Sequence, residues 1–400
     1  MLHSRFPIIH SKVDRIYLDH AATTPLLPEV REAMRPWLES AYGNPSSLHE
    51  EGRRAKDALD EARETLAEAL GCLFAEVVFT SGGTEAANLA ILGAALANRD
   101  TRRNRVFFGA AEHHCVLHTV PLLERLGYRV EIAPVDRIAR IDLDALEGML
   151  GDDVLLVAVQ HANNELGTIQ PAAEIAKMAR EAGALYVCDA VQTFLCGPLT
   201  PKADTLGADL LFVSAHKAYG PKGAGALYVR AGTKVQPVTV GGGQERELRA
   251  GTENVAGIVG FGAAVRPLHS HPELSERTRT ARDSFRRSLD ESRPEGLRWT
   301  LEDSRDALPG HAHLRLDGLS AESMLIVLDR MGVAASSGAA CSSGSLEPSH
   351  VLLACGYSER EAREGLRFTF GIDSTEAEAA EAASRCLSAA GQVRSALAAR

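Results

Sequence analysis

Four short stretches carry side chains able to make and break bonds. In "DLLFVSAHKAYGPKGAGALYVR" Lys217 follows a buried-looking apolar run and is flanked by Ser214 and His216 ahead of a Gly/Pro turn. A lysine held at the mouth of a sheet and partly stripped of water loses its proton more easily and can condense with an aldehyde. The plain alternative is a solvated loop lysine. "LYVCDAVQ" places Asp189 at the end of another apolar run. That carboxylate could cap the next turn, or it could face a pyridine nitrogen and keep the ring protonated and electron-withdrawing. "GAAEHHCVLH" brings His113 to a third strand end, where an imidazole can stack on a flat ring or move protons. "EVVFTSGGTEAANLA" sets Ser81, Gly82, Gly83 and Thr84 between a strand and a helix. There the backbone can approach an anion and the helix dipole favours negative charge. The stretch is neither of the familiar nucleotide-binding glycine patterns, and an ordinary turn is its bland reading.

A phosphate cradle, an imine-forming lysine, a strand-end carboxylate and a strand-end imidazole together meet the requirements of pyridoxal phosphate. A fifth stretch, "SSGAACSSGSLEPSH", sets Cys341 among small residues with nothing bulky to pack against. Its composition favours a solvent-reaching loop and a thiol available for reaction. The run His113, His114, Cys115 and His118 invites a metal, but adjacent residues on a turn generally point apart, which leaves a helix surface for His114 and His118.

The elements that must position these residues are legible as patterns. From residue 76 onward, "EVVFT", "RVFFGA", "RVEIAPV", "VLLVAVQ", "LYVCDA", "DLLFVSA" and "GALYVR" alternate with amphipathic stretches. Such runs predict an α/β fold with a largely parallel sheet covered on both faces, whose ligands gather where strands end and helices begin. Ahead of them, Pro28 opens a helix with Val30, Met34, Trp37 and Leu38 at helical spacing. A second helix sets Leu48, Ala55, Leu59, Ala62, Leu66 and Leu70 on one face and stops at Gly71. The charged run "SHPELSERTRTARDSFRRSLDESRPEG" reads as a linking helix with a solvated face. Beyond it come strands at "LRWTL" and "HAHLRLDG", the helix "SAESMLIVLDRMG", the Cys341 loop and an Ala-rich terminal helix, a smaller domain expected to leave a cleft against the first.

Composition narrows the function classes. The 400 residues are 45% hydrophobic and 24% charged, with a net charge of -10, which argues against nucleic acid or an anionic membrane as the main partner. No apolar run approaches the roughly 20 residues of a membrane span, and the first residues lack a signal-peptide pattern, so a cytoplasmic location is expected. Seven cysteines without any C-x-x-C spacing fit neither a disulfide framework nor a zinc ribbon.

Over nearly its whole length the sequence resembles the cysteine desulfurases of the NifS/IscS group, in the class V aminotransferase fold family. The resemblance is carried by "YLDHAATTPL", "YGNPSSLHEEGR", "FTSGGTEAANLA", "HANNELGTIQP", "SAHKAYGPKGAGALYVR", "GGGQERELRAGTENV", "SSGAACSSGSLEPSHVL" and "LRFTFG". It implies a pyridoxal-phosphate enzyme of fold type I, with a large domain at 16–262 holding a seven-stranded sheet and a small domain formed by 1–15 and 263–400. It further implies that Lys217 bonds the cofactor, Asp189 partners its ring nitrogen, Gln192 its ring hydroxyl, and His113 stacks on the ring and moves protons. Gly83, Thr84, Ser214 and His216 would hold the phosphate, and Thr252 would reach the phosphate of the other subunit in a homodimer. Asn164 and Arg367 would bind the carboxylate of L-cysteine, and Cys341 would take its sulfur and pass it to a scaffold or acceptor protein, as in iron–sulfur assembly or tRNA thiolation. His20, Ala218 and Ala250 depart from residues frequent at their positions and bear on substrate preference. A selenocysteine lyase, an aminotransferase and a non-catalytic sulfur-relay scaffold are the competing readings, and Cys341 argues against the aminotransferase.

Overall fold

The computed structural model describes residues 14–196, 199–271, 273–338 and 347–399. The chain enters on a two-residue strand, β1 (Ile16–Tyr17). It then supplies β2 (Val77–Thr80), β3 (Arg105–Gly109), β4 (Arg129–Ala133), β5 (Val154–Ala158), β6 (Leu185–Asp189), β7 (Leu210–Ser214) and β8 (Gly225–Val229), one for each apolar run of the sequence. The last seven form one sheet in the order β2-β8-β7-β6-β5-β3-β4. Pairing is parallel except that β8 runs antiparallel to both its neighbours, β2 and β7.

Alternate residues of these strands enter different cores, which is why the runs are apolar throughout rather than alternating. Val77, Phe79, Phe107, Leu211 and Val213 pack with Leu59, Leu66, Ile175 and Phe261 on one face. Val78, Val106, Phe108, Leu210 and Phe212 pack with Leu89, Ile91, Leu123 and Tyr128 on the other. The helix Gly83–Ala97 lies between sheet and surface elements and is apolar nearly all round, so the turn at its start has little freedom to move.

The C-terminal part builds a separate core. β9 (Leu297–Trp299), β10 (His311–Leu316) and β12 (Gly365–Thr369) form an antiparallel sheet in the order β12-β10-β9, while β11 (Val333–Ala334) pairs in parallel with β1. Ile16 and Leu18 join this second core with Phe285, Leu314, Phe368 and Ala382. The terminal helix Glu376–Ala398 starts on a reciprocal cap between Thr375 and Glu378.

Three expectations need correction. The charged run is more than a solvated face: helix Leu274–Ser292 buries Ala281, Arg282, Phe285 and Leu289, because its charges leave an apolar stripe every three to four residues. Leu48 is 90% exposed, since the helix starts only at Glu50 behind the His49 cap, and Leu38 is 70% exposed in the last turn of Pro28–Glu39, where Val30 is the fully buried residue. His118 is exposed, in keeping with a helix surface, but His114 is only half-exposed, its ring stacked 4.5 Å from that of His118 and 4.4 Å from that of His350.

One buried ion pair fixes an unusual backbone. Glu245, Arg246 and Glu247 all have positive φ, at 45°, 56° and 65°, a conformation that costs L-residues roughly 1–2 kcal/mol each. Arg63 grips Glu245 with two 2.7 Å hydrogen bonds, and the N–H of Phe79 donates to the same carboxylate. Arg63 and Glu245 side chains are only 7% and 2% exposed. Arg63→Ala is expected to lower unfolding stability by about 3–5 kcal/mol, because it strands a buried carboxylate. Denaturant titration measures this, and a loss below about 1 kcal/mol would show that the turn does not depend on the pair.

Candidate active site

The C-terminal ends of the parallel strands open into one pocket of about 230 Å³. Lys217 enters it from a short 3₁₀ turn, Ala215–Lys217, directly after β7. That turn is clamped from the chain's N-terminal segment. The Thr24 hydroxyl and backbone N–H both donate to the His216 carbonyl, the Tyr219 N–H donates to Thr24 Oγ1 at 2.8 Å, and His216 Nδ1 shares a 3.1 Å hydrogen bond with Thr23 Oγ1. The threonines of "LDHAATT" thus hold the lysine turn, a role that residue types alone did not disclose. Their adjacency in an otherwise small-residue stretch was the available signal.

Asp189 closes β6 and lines the same pocket. Its Oδ1 accepts the Val191 N–H at 2.9 Å, so it does cap the following turn. Burial nevertheless pushes its carboxyl up to about 6, against the opposing pull of that hydrogen bond and of the Lys217 charge. His113 caps the short helix His114–Leu117, its Nδ1 accepting the Cys115 N–H at 3.1 Å, so the neutral ring carries its proton on Nε2. Burial first, then the charges of Lys217 and the neighbouring histidines, lowers its pKa to about 3, and the imidazole stays neutral. Burial likewise takes His216 down to about 4.

The cradle residues lie at the pocket's edge. Gly83 faces Val191 and Ser214 so closely that an added Cβ would sit 3.2 Å from Val191 Cγ2. Thr84 is exposed in the first turn of its helix, and the Ser214 hydroxyl is buried with no hydrogen-bond partner among the described residues. Gln192 donates to the Ala21 carbonyl at 3.2 Å and lines the pocket with Asn164. An unpaired buried hydroxyl beside a helix N-terminus, a strand-end carboxylate and a lysine fit pyridoxal phosphate: Ser214, Thr84 and Gly83 toward its phosphate, Asp189 toward its ring nitrogen and Lys217 toward its aldehyde.

Arg367 does not line this pocket; it stands behind it on β12, 2% exposed, donating to the Asn164 carbonyl at 2.8 Å and to Asp19 Oδ1 at 2.7 Å. Its Nε is buried without a partner among the described residues. Ser336 bridges to Arg367 on the open side of β12. Thr252 is exposed and outside the pocket, while Arg249 of the same segment pairs with Glu85 at 2.7 Å, and Glu85 accepts the Ser81 N–H of the cradle. Cys341 lies outside the described residues. Asp19, Gln160 and the buried acid Glu112 were missed at the sequence level, and Cys115 was named there only in the metal reading. Gln160 ends the run "VLLVAVQ" and Cys115 lines the pocket beside His113.

A raised carboxyl gives a stability signature. The Asp189 carboxyl ionises near 3.8 in the unfolded chain but only near 6 when folded. In cofactor-free protein, stability is therefore lost as pH rises from about 4 to about 6, and the loss is complete above that. Asp189→Asn keeps the acceptor for Val191 and is expected to gain up to about 3 kcal/mol above pH 6 and nothing below pH 4. Denaturation at fixed pH values checks it; a gain independent of pH would contradict the buried charge.

Residues 16–381 match the aminotransferase class-V family model. The chain is 46% identical to a cysteine desulfurase IscS of Dictyoglomus turgidum, covering 90% of each chain. It is 43% identical to a cysteine desulfurase IscS of Methanosarcina thermophila, over 90% of this chain and 88% of the relative. Among solved structures, a NifS-like protein superposes with a TM-score of 0.87 at 31% identity, over 94% of this chain and 99% of that one. SspA in complex with cysteine gives 0.78 at 34% identity, over 89% and 99%. The strand-end pocket and these likenesses coincide: the chain belongs to the class-V aminotransferase family, within its cysteine desulfurase group.

Proposed function

We propose that this protein is a pyridoxal-phosphate-dependent cysteine desulfurase that converts L-cysteine to L-alanine and takes the sulfur onto Cys341 as a persulfide. The observation that carries the reading is the convergence of Lys217, Asp189, His113, Gln192, Ser214 and Asn164 on one pocket at the strand ends. SspA, a neighbour at 34% identity, is described in complex with cysteine, which supports the same substrate here.

When bound, the cofactor supplies an electron sink for the charge left as the α-proton departs. The residues do the rest. Asp189 would face the ring nitrogen, where a cationic ring would favour its charged form. The neutral His113 would lie against the ring and could exchange a proton at its imidazole, and Lys217 could accept or return a proton at Nζ. Asn164 lines the pocket and would meet the substrate carboxylate there, and Arg367, which holds the Asn164 carbonyl from behind the pocket, would join it by turning its guanidinium inward. At Cys341 the thiolate attacks the substrate sulfur: the C–S bond breaks, an S–S bond forms, and the β-carbon takes up a proton as alanine forms.

The same proposal includes a homodimer in which Thr252 reaches the partner's phosphate, delivery of sulfur to an acceptor or scaffold protein, and a cytoplasmic setting. No helix among the described residues is long and apolar enough to cross a membrane. It also includes the division into a large domain, 16–262, and a small one; the sheet core and the C-terminal core are separate, although Ile16 and Leu18 pack in the second and Val265 in the first.

Production of sulfide and alanine from L-cysteine with a thiol reductant tests the reading. Cys341→Ala should keep the cofactor absorbance yet lose both products by more than about 100-fold. If it turns over cysteine at the wild-type rate, the lyase or aminotransferase reading replaces this one; a wild type that binds no pyridoxal phosphate favours the scaffold.

A further inference from the structure

One buried carboxylate touches both ends of the segment that carries Cys341. Glu165 follows Asn164 in "HANNELG" and is 1% exposed. The Asn163 side chain pins its backbone, accepting the Glu165 N–H at 2.9 Å and donating to the Ala111 carbonyl at 3.1 Å. Before the cysteine segment, Gly338 lies against Glu165 Oε2: an added Cβ would come within 2.6 Å of that oxygen, at a φ of +84°. After the segment, the Ser349 hydroxyl donates to the same Oε2 at 2.5 Å and accepts the Leu352 N–H, capping helix His350–Ala354.

The roots are tied further to the pocket wall. Gly338 N–H donates to Ser336 Oγ, and Ser336 exchanges two backbone hydrogen bonds with Arg367, at 3.1 and 2.6 Å. His350 Nε2 donates to the carbonyl of Glu112, the residue before His113, and its ring rests on His114.

We propose that Glu165 is a positioning residue for sulfur transfer: with Gly338 packed against the same oxygen that accepts the Ser349 hydroxyl, beside Asn164, it fixes where the Cys341 thiol is delivered. The inference rests on the proposed function and deepens it. Only two residues lie between Gly338 and Cys341, three peptide steps or at most about 11 Å of extended chain, so the root bounds the volume the thiol can reach. A nucleophile misplaced by about 1 Å can lose about 100-fold in rate.

The test uses the cofactor-loaded enzyme with Ser349→Ala, Glu165→Asp and Glu165→Gln. Three readouts are taken: single-turnover persulfide formation on Cys341, half-saturation by L-cysteine followed spectroscopically, and iodoacetamide alkylation of Cys341 without substrate. Ser349→Ala and Glu165→Asp, which break or shorten the contact, should slow persulfide formation by at least about 10-fold and change the alkylation rate by at least about threefold, with half-saturation within about twofold. Glu165→Gln keeps the length and an accepting oxygen and should stay within about threefold of wild type throughout. Unchanged persulfide formation in folded Ser349→Ala overturns the proposal, as does a Glu165→Gln loss as large as that of Glu165→Asp, or a parallel loss of cysteine saturation. Should Glu165→Asp not fold, Ser349→Ala decides. A wild type that forms no persulfide removes the desulfurase reading, whereas the alkylation contrast still reports on the Glu165 contact.

Discussion

A carboxylate taken out of water at the end of a strand has to be met by positive charge, and much of this molecule is arranged around that demand at Asp189. Burial drives its carboxyl up to about 6 despite a hydrogen bond from Val191 and the nearby Lys217. Such a site is poor for a naked anion and good for one facing a cationic ring. The same desolvation acts in the opposite direction on His113 and His216, holding both neutral. Burial thus sets the protonation of the pocket's acid and its bases together, which is what proton movement on a bound substrate requires.

Keeping the pocket's groups in register falls to elements far from it in sequence. Thr23 and Thr24 reach across to clamp the lysine turn, and Asp19 of the same stretch engages Arg367. The left-handed turn at Glu245–Glu247, gripped by Arg63, carries Arg249 back to Glu85 and so to the cradle at Ser81. The cradle also needs β8 to come close: a Cβ at Gly225 would lie 2.6 Å from the Gly82 carbonyl carbon. Each contact converts a distant piece of chain into a fixed wall.

How far the sequence disclosed this depends on the kind of information involved. Apolar runs report burial on both faces directly, so the seven sheet strands and their alternation with helices were legible, and the site residues at strand ends followed from fold logic. Helix faces were read less well. Leu38 and Leu48 match an apolar period but lie in a last turn and ahead of a cap, and Arg282 is buried although charged, because tertiary packing decides which stripe is used. Partners across long separations, Asp19 with Arg367 or Glu165 with Ser349, leave no local periodic trace. The antiparallel insertion of β8 between β2 and β7 is equally silent, since strand direction is set by connections rather than by composition.

The central claim, that the strand-end constellation is a pyridoxal phosphate site bonded through Lys217, is tested most directly by borohydride reduction of the loaded protein followed by peptide mass mapping. The account predicts that the reduced cofactor is recovered on the peptide containing Lys217, and that Lys217→Arg abolishes the label. Recovery on another lysine, or no covalent label in protein that has bound the cofactor, would contradict it.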